Sequence, residues 1–193
     1  MIILVAGIHG VGKTWHCEHY AHRRGVLHSS ATGLVRQVLA SVKWSDDRYA
    51  TNRDRNRQAL ELALTSIAAT GKSMLLEGNV VLMGKRPRAL GIDLAAFERL
   101  SLGAIVLLES EPWTVLQRLP ASHASATQVE VFQQQERDSA RAVARHLQIP
   151  LMLLRDCTEH SFGQTVDAWL KRGQPISIDT ARSHPPGFHR LYR

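Results

Sequence analysis

The chain is poor in cysteine. Cys17 and Cys157 are the only two and form no C-x-x-C pair. That excludes a disulfide framework and makes a reducing cytosol the expected compartment. No run approaches 18 consecutive apolar residues, so no segment is expected to span a membrane. The apolar start, Met1–Ala6, is too short for a signal-peptide core and has no basic stretch before it. Aromatic residues make up only 6% of the chain. Internal repeats and interdomain linkers are absent.

The 193 residues are 44% hydrophobic and 21% charged, enough for one α/β domain with a real core. The net charge of +7 suits an anionic ligand such as a nucleotide or a nucleic acid. Many arginines lie along helical stretches, where a solvated face accounts for them, so nucleic acid is the less favoured partner. His16, His19 and His22 drift round one helix with no carboxylate or cysteine joining them, and no metal site is expected there.

Gly7-Ile8-His9-Gly10-Val11-Gly12-Lys13-Thr14 reads G-x-x-x-x-G-K-T. The apolar run Ile2–Ala6 leads into it and a helix-compatible stretch follows, the strand–loop–helix setting in which the motif has mechanical meaning. Its glycines let the backbone wrap a phosphate and turn successive N–H groups inward. The following helix N-terminus adds partial positive charge. Lys13 is placed to reach the β- and γ-phosphates of ATP, and the Thr14 hydroxyl to ligate Mg2+. His9, Val11 and Trp15 complete the expected donor-site residues, with Trp15 packing on the sheet or lining the base pocket.

Strands are predicted over 2–6, 26–29, 73–77, 104–108 and 150–154, with a short extra strand over 80–83. Helices are predicted over 13–23, 33–42, 53–70, 94–100, 113–119, 127–147 and 161–172. Val129, Phe132, Ala140, Val143 and Leu147 form the expected core face of the long helix. Residues 43–52, 85–92 and 120–126 read as loops. Alternating strands and helices, each strand nearly all apolar, imply a parallel sheet covered on both faces, a three-layer α/β fold. Right-handed crossovers place the strand C-termini and the first loop on one edge. Glu77 ends a strand on that edge, where it either holds a Mg2+-bound water or helps orient or deprotonate an acceptor hydroxyl. Glu109 ends another.

In order along residues 1–155, the chain resembles the adenylate kinase-like nucleoside monophosphate kinases. The phosphate loop is Gly7 to Thr14. The acceptor-site opening of that family looks like Thr32-Gly33-Leu34-Val35-Arg36, its acidic-glycine pair like Glu77-Gly78, and its fourth strand and helix like Ile105 to Leu119, including Arg118. The resemblance implies a five-stranded parallel sheet of order 2-3-1-4-5, Mg-ATP in the loop, and γ-phosphoryl transfer to a small nucleotide- or nucleoside-like acceptor. It further implies that Arg36, with Thr32 and Gly33, positions the acceptor, and that Lys13, Glu77 and Arg118 serve catalysis. Two departures stand out. The family's closing loop carries arginines, whereas residues 120–126 carry none, leaving Arg137 and Arg141 as substitutes. No arginine closely follows Gly78; the nearest are Arg86 and Arg88, with Arg53, Arg55 and Arg57 before the third strand. The kinase-like domain is expected over 1–173 and a basic tail over 174–193. A P-loop ATPase or switch acting on a protein partner, and a kinase of nucleic-acid ends, are the rival readings. Oligomeric state is left open.

Overall fold

A computed structural model describes residues 1–41, 52–84, 93–119 and 124–172. The predicted loops at 43–52 and 85–92, most of the 120–126 loop, and the tail lie wholly or largely outside them, as do Arg86 and Arg88.

The elements run β1 (Ile2–Ala6), α1 (Lys13–Arg24), β2 (Leu27–Ser30), α2 (Ala31–Ser41), α3 (Asn52–Ala69), β3 (Met74–Glu77), α4 (Val80–Gly84), α5 (Ala95–Glu98), β4 (Leu102–Glu109), α6 (Pro112–Arg118), α7 (Ala126–Leu147), β5 (Leu151–Arg155) and α8 (Glu159–Arg172). The five strands form one parallel sheet in the order β2-β3-β1-β4-β5, as the resemblance implies.

Every residue of the central strand β1 is buried, because both faces of the sheet are covered. Ile2, Leu4 and Ala6 join one core with Leu60 and Leu64 of α3 and Ala140 and Val143 of α7. Ile3 and Val5 join the other, with Cys17 and Tyr20 of α1 and Phe162 and Val166 of α8. Gly25 closes α1 at φ +64°, the left-handed stop a glycine adopts without strain. Ser125 and Gln128 form a capping box that starts α7. No helix among the described residues is long and apolar enough to cross a membrane.

Two sequence-based expectations are corrected. The apolar run 80–83 is helical, the start of α4, not a strand. β3 is already paired on both sides, by β1 and β2, so the sheet has no free edge there. In α7, Phe132 is 49% exposed, whereas the polar residues Gln133 and Glu136 are buried beside Val129, Ala140 and Val143. The inward stripe of α7 is therefore partly polar, and each of its two polar members does specific work at the sheet edge.

Candidate functional site

Between β1 and α1 the chain turns through Gly7, Gly10 and Gly12, all at positive φ. Gly7 is the tightest: a Cβ there would lie 2.6 Å from the Leu108 carbonyl oxygen and 2.9 Å from Val11 Cγ2. Gly7→Ala is therefore expected to cost about 1–3 kcal/mol from backbone strain, before the clash with main chain is counted. Urea unfolding checks this; an unchanged midpoint would show that the loop relaxes freely.

Lys13 Nζ donates to the carbonyls of Gly7 (2.8 Å) and Ile8 (2.9 Å), so the ammonium sits across the loop that its own backbone forms. Burial pushes its pKa down, against the opposing pull of the Glu77 and Glu136 carboxylates. The Thr14 hydroxyl donates to Glu77 Oε2 at 2.8 Å. Glu77 is buried, and its other oxygen lies 3.8 Å from His28 Nε2, beyond hydrogen-bond reach but close in charge. Burial pushes the Glu77 carboxyl up, but His28, the Thr14 hydroxyl and the Lys13 charge together hold it below the usual carboxylate range. Lys13, Thr14 and Glu77 thus meet at one point, built from the start of α1 and the end of β3.

They open onto a cavity of about 730 Å3. His9, Ser30, Thr32, Asn56, Arg57 and Asn79 give it polar groups, and Val35, Leu60, Met83, Phe97 and Leu100 give it an apolar wall. Of the residues expected to position an acceptor, Thr32 lines this space. Arg36 is exposed on α2 and does not line it, nor does Gly33, which holds its N–H on Ser30 Oγ at 2.9 Å. Arg57, on α3, does line it. Arg118 does not line it; its guanidinium donates to the Gly10 carbonyl at 3.2 Å. Trp15 is 48% exposed, with its ring 4.2 Å from that of His19, and it is not among the residues lining this cavity.

Three residues of α7 and β4 define the rest of the edge. Glu109 is buried and held bidentately by Arg137, at 2.6 and 2.8 Å, with Arg155 at 3.4 Å. That engagement makes Arg137 and Glu109 partners of each other. Gln133 brackets Ser110, accepting from its N–H and donating to its carbonyl, both at 3.0 Å. Glu136, 1% exposed, accepts from the Val80 and Val81 amides at the start of α4, and the Gly7 N–H lies close enough to act on it. Sequence reasoning missed Glu136 and Gln133. The available signal was their i, i+3 spacing in register with Val129, Ala140 and Val143.

The oxygen pair of Thr14 and Glu77 fits Mg2+, which takes one or two protein oxygens and completes its shell with water and phosphate. The cradle of positive-φ glycines fits a phosphate chain, whose oxygens the loop amides and Lys13 can meet.

The family model described as AAA domain matches residues 6–135, more than half of the chain. No curated protein matches. Among solved structures, the shikimate kinase from Acinetobacter baumannii in complex with shikimate superposes with a TM-score of 0.55 at 15% identity, over 89% of this chain and 93% of that one. The shikimate kinase from Bacteroides thetaiotaomicron gives 0.52 at 15% identity, over 89% and 98%. A putative kinase from Chloroflexus aurantiacus gives 0.51 at 16%, over 90% and 97%. At these identities the likeness is one of fold.

Proposed function

The chain belongs to the AAA domain family matched over residues 6–135 and has the fold of P-loop kinases, and from that premise we propose that it is an ATP-dependent phosphotransferase acting on a small nucleotide- or nucleoside-like acceptor. The observation that carries this reading is the position of Lys13, Thr14 and Glu77 at the mouth of a cavity that continues past the phosphate loop. A hydrolase needs only water there; a space lined by both apolar and hydrogen-bonding side chains is suited to an organic acceptor.

In the proposed reaction the acceptor hydroxyl oxygen bonds to the γ-phosphorus. The bond to the β–γ bridging oxygen breaks, ADP leaves with that electron pair, and the hydroxyl proton goes to solvent. Such transfer depends on positioning and charge neutralisation more than on covalent help from the protein. Lys13 and the loop amides would hold the transferring group. Arg118, anchored at Gly10, would add charge beside the loop. Thr14 and Glu77 would hold Mg2+, which would neutralise charge on the phosphates. The lowered pKa of Glu77 suits that role better than accepting a proton. We place this activity in residues 1–173.

A coupled assay for ADP release over a panel of nucleosides and nucleotides tests the reading. Acceptor-dependent release supports it. Acceptor-independent hydrolysis stimulated by a protein partner would favour the switch, and salt-sensitive oligonucleotide binding would favour the end kinase. Glu77→Gln is expected to weaken the Mg2+ requirement curve by about 10–100-fold, the usual scale for a group that orients a metal shell. A Mg2+ titration of the rate at saturating ATP checks it; an unshifted curve removes Glu77 from the metal site.

A further inference from the structure

We propose that Cys17, His28 and Glu77 form a second metal site, for a borderline-soft divalent cation of the Zn2+ kind, and that an ion held there opposes Mg2+ through Glu77.

The three residues come from three elements. Cys17 of α1 is fully buried in the same core as Leu75 of β3. Between β2 and β3, His28 pairs with Leu75 and Ser30 with Glu77. Side chains two apart on a strand share a face, so His28 and Glu77 both stand on the side of the sheet that α1 covers. There the Cys17 Sγ, an imidazole nitrogen of His28 and a carboxylate oxygen of Glu77 all lie within 4.8 Å of one another. It is the one such group of three among the described residues.

His28 Nε2 is buried and has no hydrogen-bond partner, an exception among buried polar atoms. The nearest charge is Glu77 Oε1, at 3.8 Å. Around a tetrahedral Zn2+ with bonds of about 2.0–2.3 Å, ligand atoms stand roughly 3.3–3.8 Å apart. A contraction of about 1 Å therefore closes the three round an ion, with water in the fourth position. Sulfur and imidazole nitrogen suit Zn2+, whereas Mg2+ takes oxygen. Cys17 as thiolate and Glu77 as carboxylate bring two negative charges to the dication. Burial keeps the free Cys17 thiol protonated, and the Glu77 charge adds to that effect. Binding therefore forms a metal–sulfur bond and releases the thiol proton to solvent. Glu77 lines the cavity, which gives an ion its way in.

Glu77 also couples the two metals. Its Oε2 accepts from Thr14, on the side proposed for Mg2+, and its Oε1 faces His28. A cation on the His28 side draws on the same carboxylate and adds positive charge beside the Mg2+ position. Each ion then weakens the other, by the same factor. Binding at Cys17 and His28 does not depend on the phosphotransferase reading; the antagonism needs only Mg2+ at Thr14 and Glu77.

The test titrates the full chain with Co2+, a coloured stand-in for Zn2+ whose bond to a thiolate gives a near-ultraviolet charge-transfer band. Free metal is fixed by a chelator buffer, and circular dichroism confirms that each variant is folded. The band is expected in the wild type and in Cys157→Ser, to vanish in Cys17→Ser, and to be erased by added Zn2+. His28→Gln is expected to weaken binding by about 100-fold, since even groups that only orient a metal ligand are worth 10–100-fold. Mg-ATP is expected to weaken Co2+ binding to the wild type by about tenfold, within the usual range of coupling between two sites. No band in the wild type, or a band lost in Cys157→Ser and kept in Cys17→Ser, would overturn the site. So would unchanged affinity in His28→Gln, which carries the test if Cys17→Ser does not fold. Co2+ affinity indifferent to Mg-ATP would overturn the antagonism. A band with these properties in a protein that releases no ADP with any acceptor would leave this proposal standing and bring down the phosphotransferase reading alone.

Discussion

Lys13→Ala is expected to lower kcat by about 10²–10³-fold, the scale for removing one preorganised charge donor from a phosphoryl or acyl transition state. The same change also withdraws the counter-charge of two buried carboxylates, so thermal stability at pH 7 is expected to change little, the relieved burial penalty offsetting the lost contacts. Burial lowers the Lys13 pKa despite the nearby Glu77 and Glu136, so the fold as a whole disfavours the ammonium relative to the unfolded chain. The sign follows by linkage. Below the folded-state pKa the penalty is present in full, and it is relieved as pH rises through that value towards the ordinary lysine range. Replacing Lys13 removes the penalty together with two hydrogen bonds to the carbonyls of Gly7 and Ile8. Differential scanning calorimetry at pH 7 and at alkaline pH, beside steady-state kinetics, separates the two effects. Wild-type turnover in Lys13→Ala would sink the donor-site assignment. A large drop in Tm with intact kinetics would show that Lys13 is a structural lysine. Lys13→Arg is not expected to rescue activity, since a planar fork cannot take the place of a compact ammonium beneath the loop.

The donor half of this site was legible in the sequence because it is made of backbone. An all-apolar strand, three glycines needing positive φ and a helix start leave one geometry, and Ile2 to Thr14 adopts it. Strand order followed from the resemblance rather than from the residues themselves. The acceptor half is less legible, because it is made of side chains contributed by four helices. Arg36 sits in a familiar motif and is exposed one turn beyond the lining residue Thr32, while Arg57, which no motif marks, lines the cavity. The misreading of 80–83 has a similar origin. Four consecutive apolar residues fit a buried strand or a buried helix equally well, and periodicity alone does not decide between them. What decides here is a distant carboxylate, Glu136, which supplies the amides at the start of α4 with acceptors. Hydrophobicity alone puts Phe132 in the core, whereas the inward positions beside it are held by Gln133 and Glu136. A polar residue on a buried stripe is the informative exception in such a pattern.

That exception leads to the second large effect. Glu136→Ala is expected to destabilise the fold by about 3–5 kcal/mol, the scale for breaking a buried, hydrogen-bonded charge arrangement from one side. The Val80 and Val81 amides would be left without acceptors, and the Lys13 ammonium would lose a counter-charge. Because α4 carries Met83 to the cavity wall and Gly7 begins the phosphate loop, kcat should fall along with stability. Glu136→Gln separates the charge from the packing. Burial pushes the Glu136 carboxyl up, more than the Val81, Val80 and Gly7 N–H groups and Lys13 pull it down. An acid raised in the fold costs no stability below its unfolded-state pKa. The cost accrues as pH rises from there through the folded value, and it is present in full above it. Relative to Glu136→Gln, the wild type should therefore lose stability across that mildly acidic window, the opposite of the trend that Glu77 contributes. Urea melts of both proteins at closely spaced pH values measure the difference. A stability difference that grows in favour of the wild type as pH rises would mean that the N–H groups outweigh burial. Glu136 would then be a simple stabiliser of α4, not a charge retained at a cost because it ties the acceptor wall to the phosphate loop.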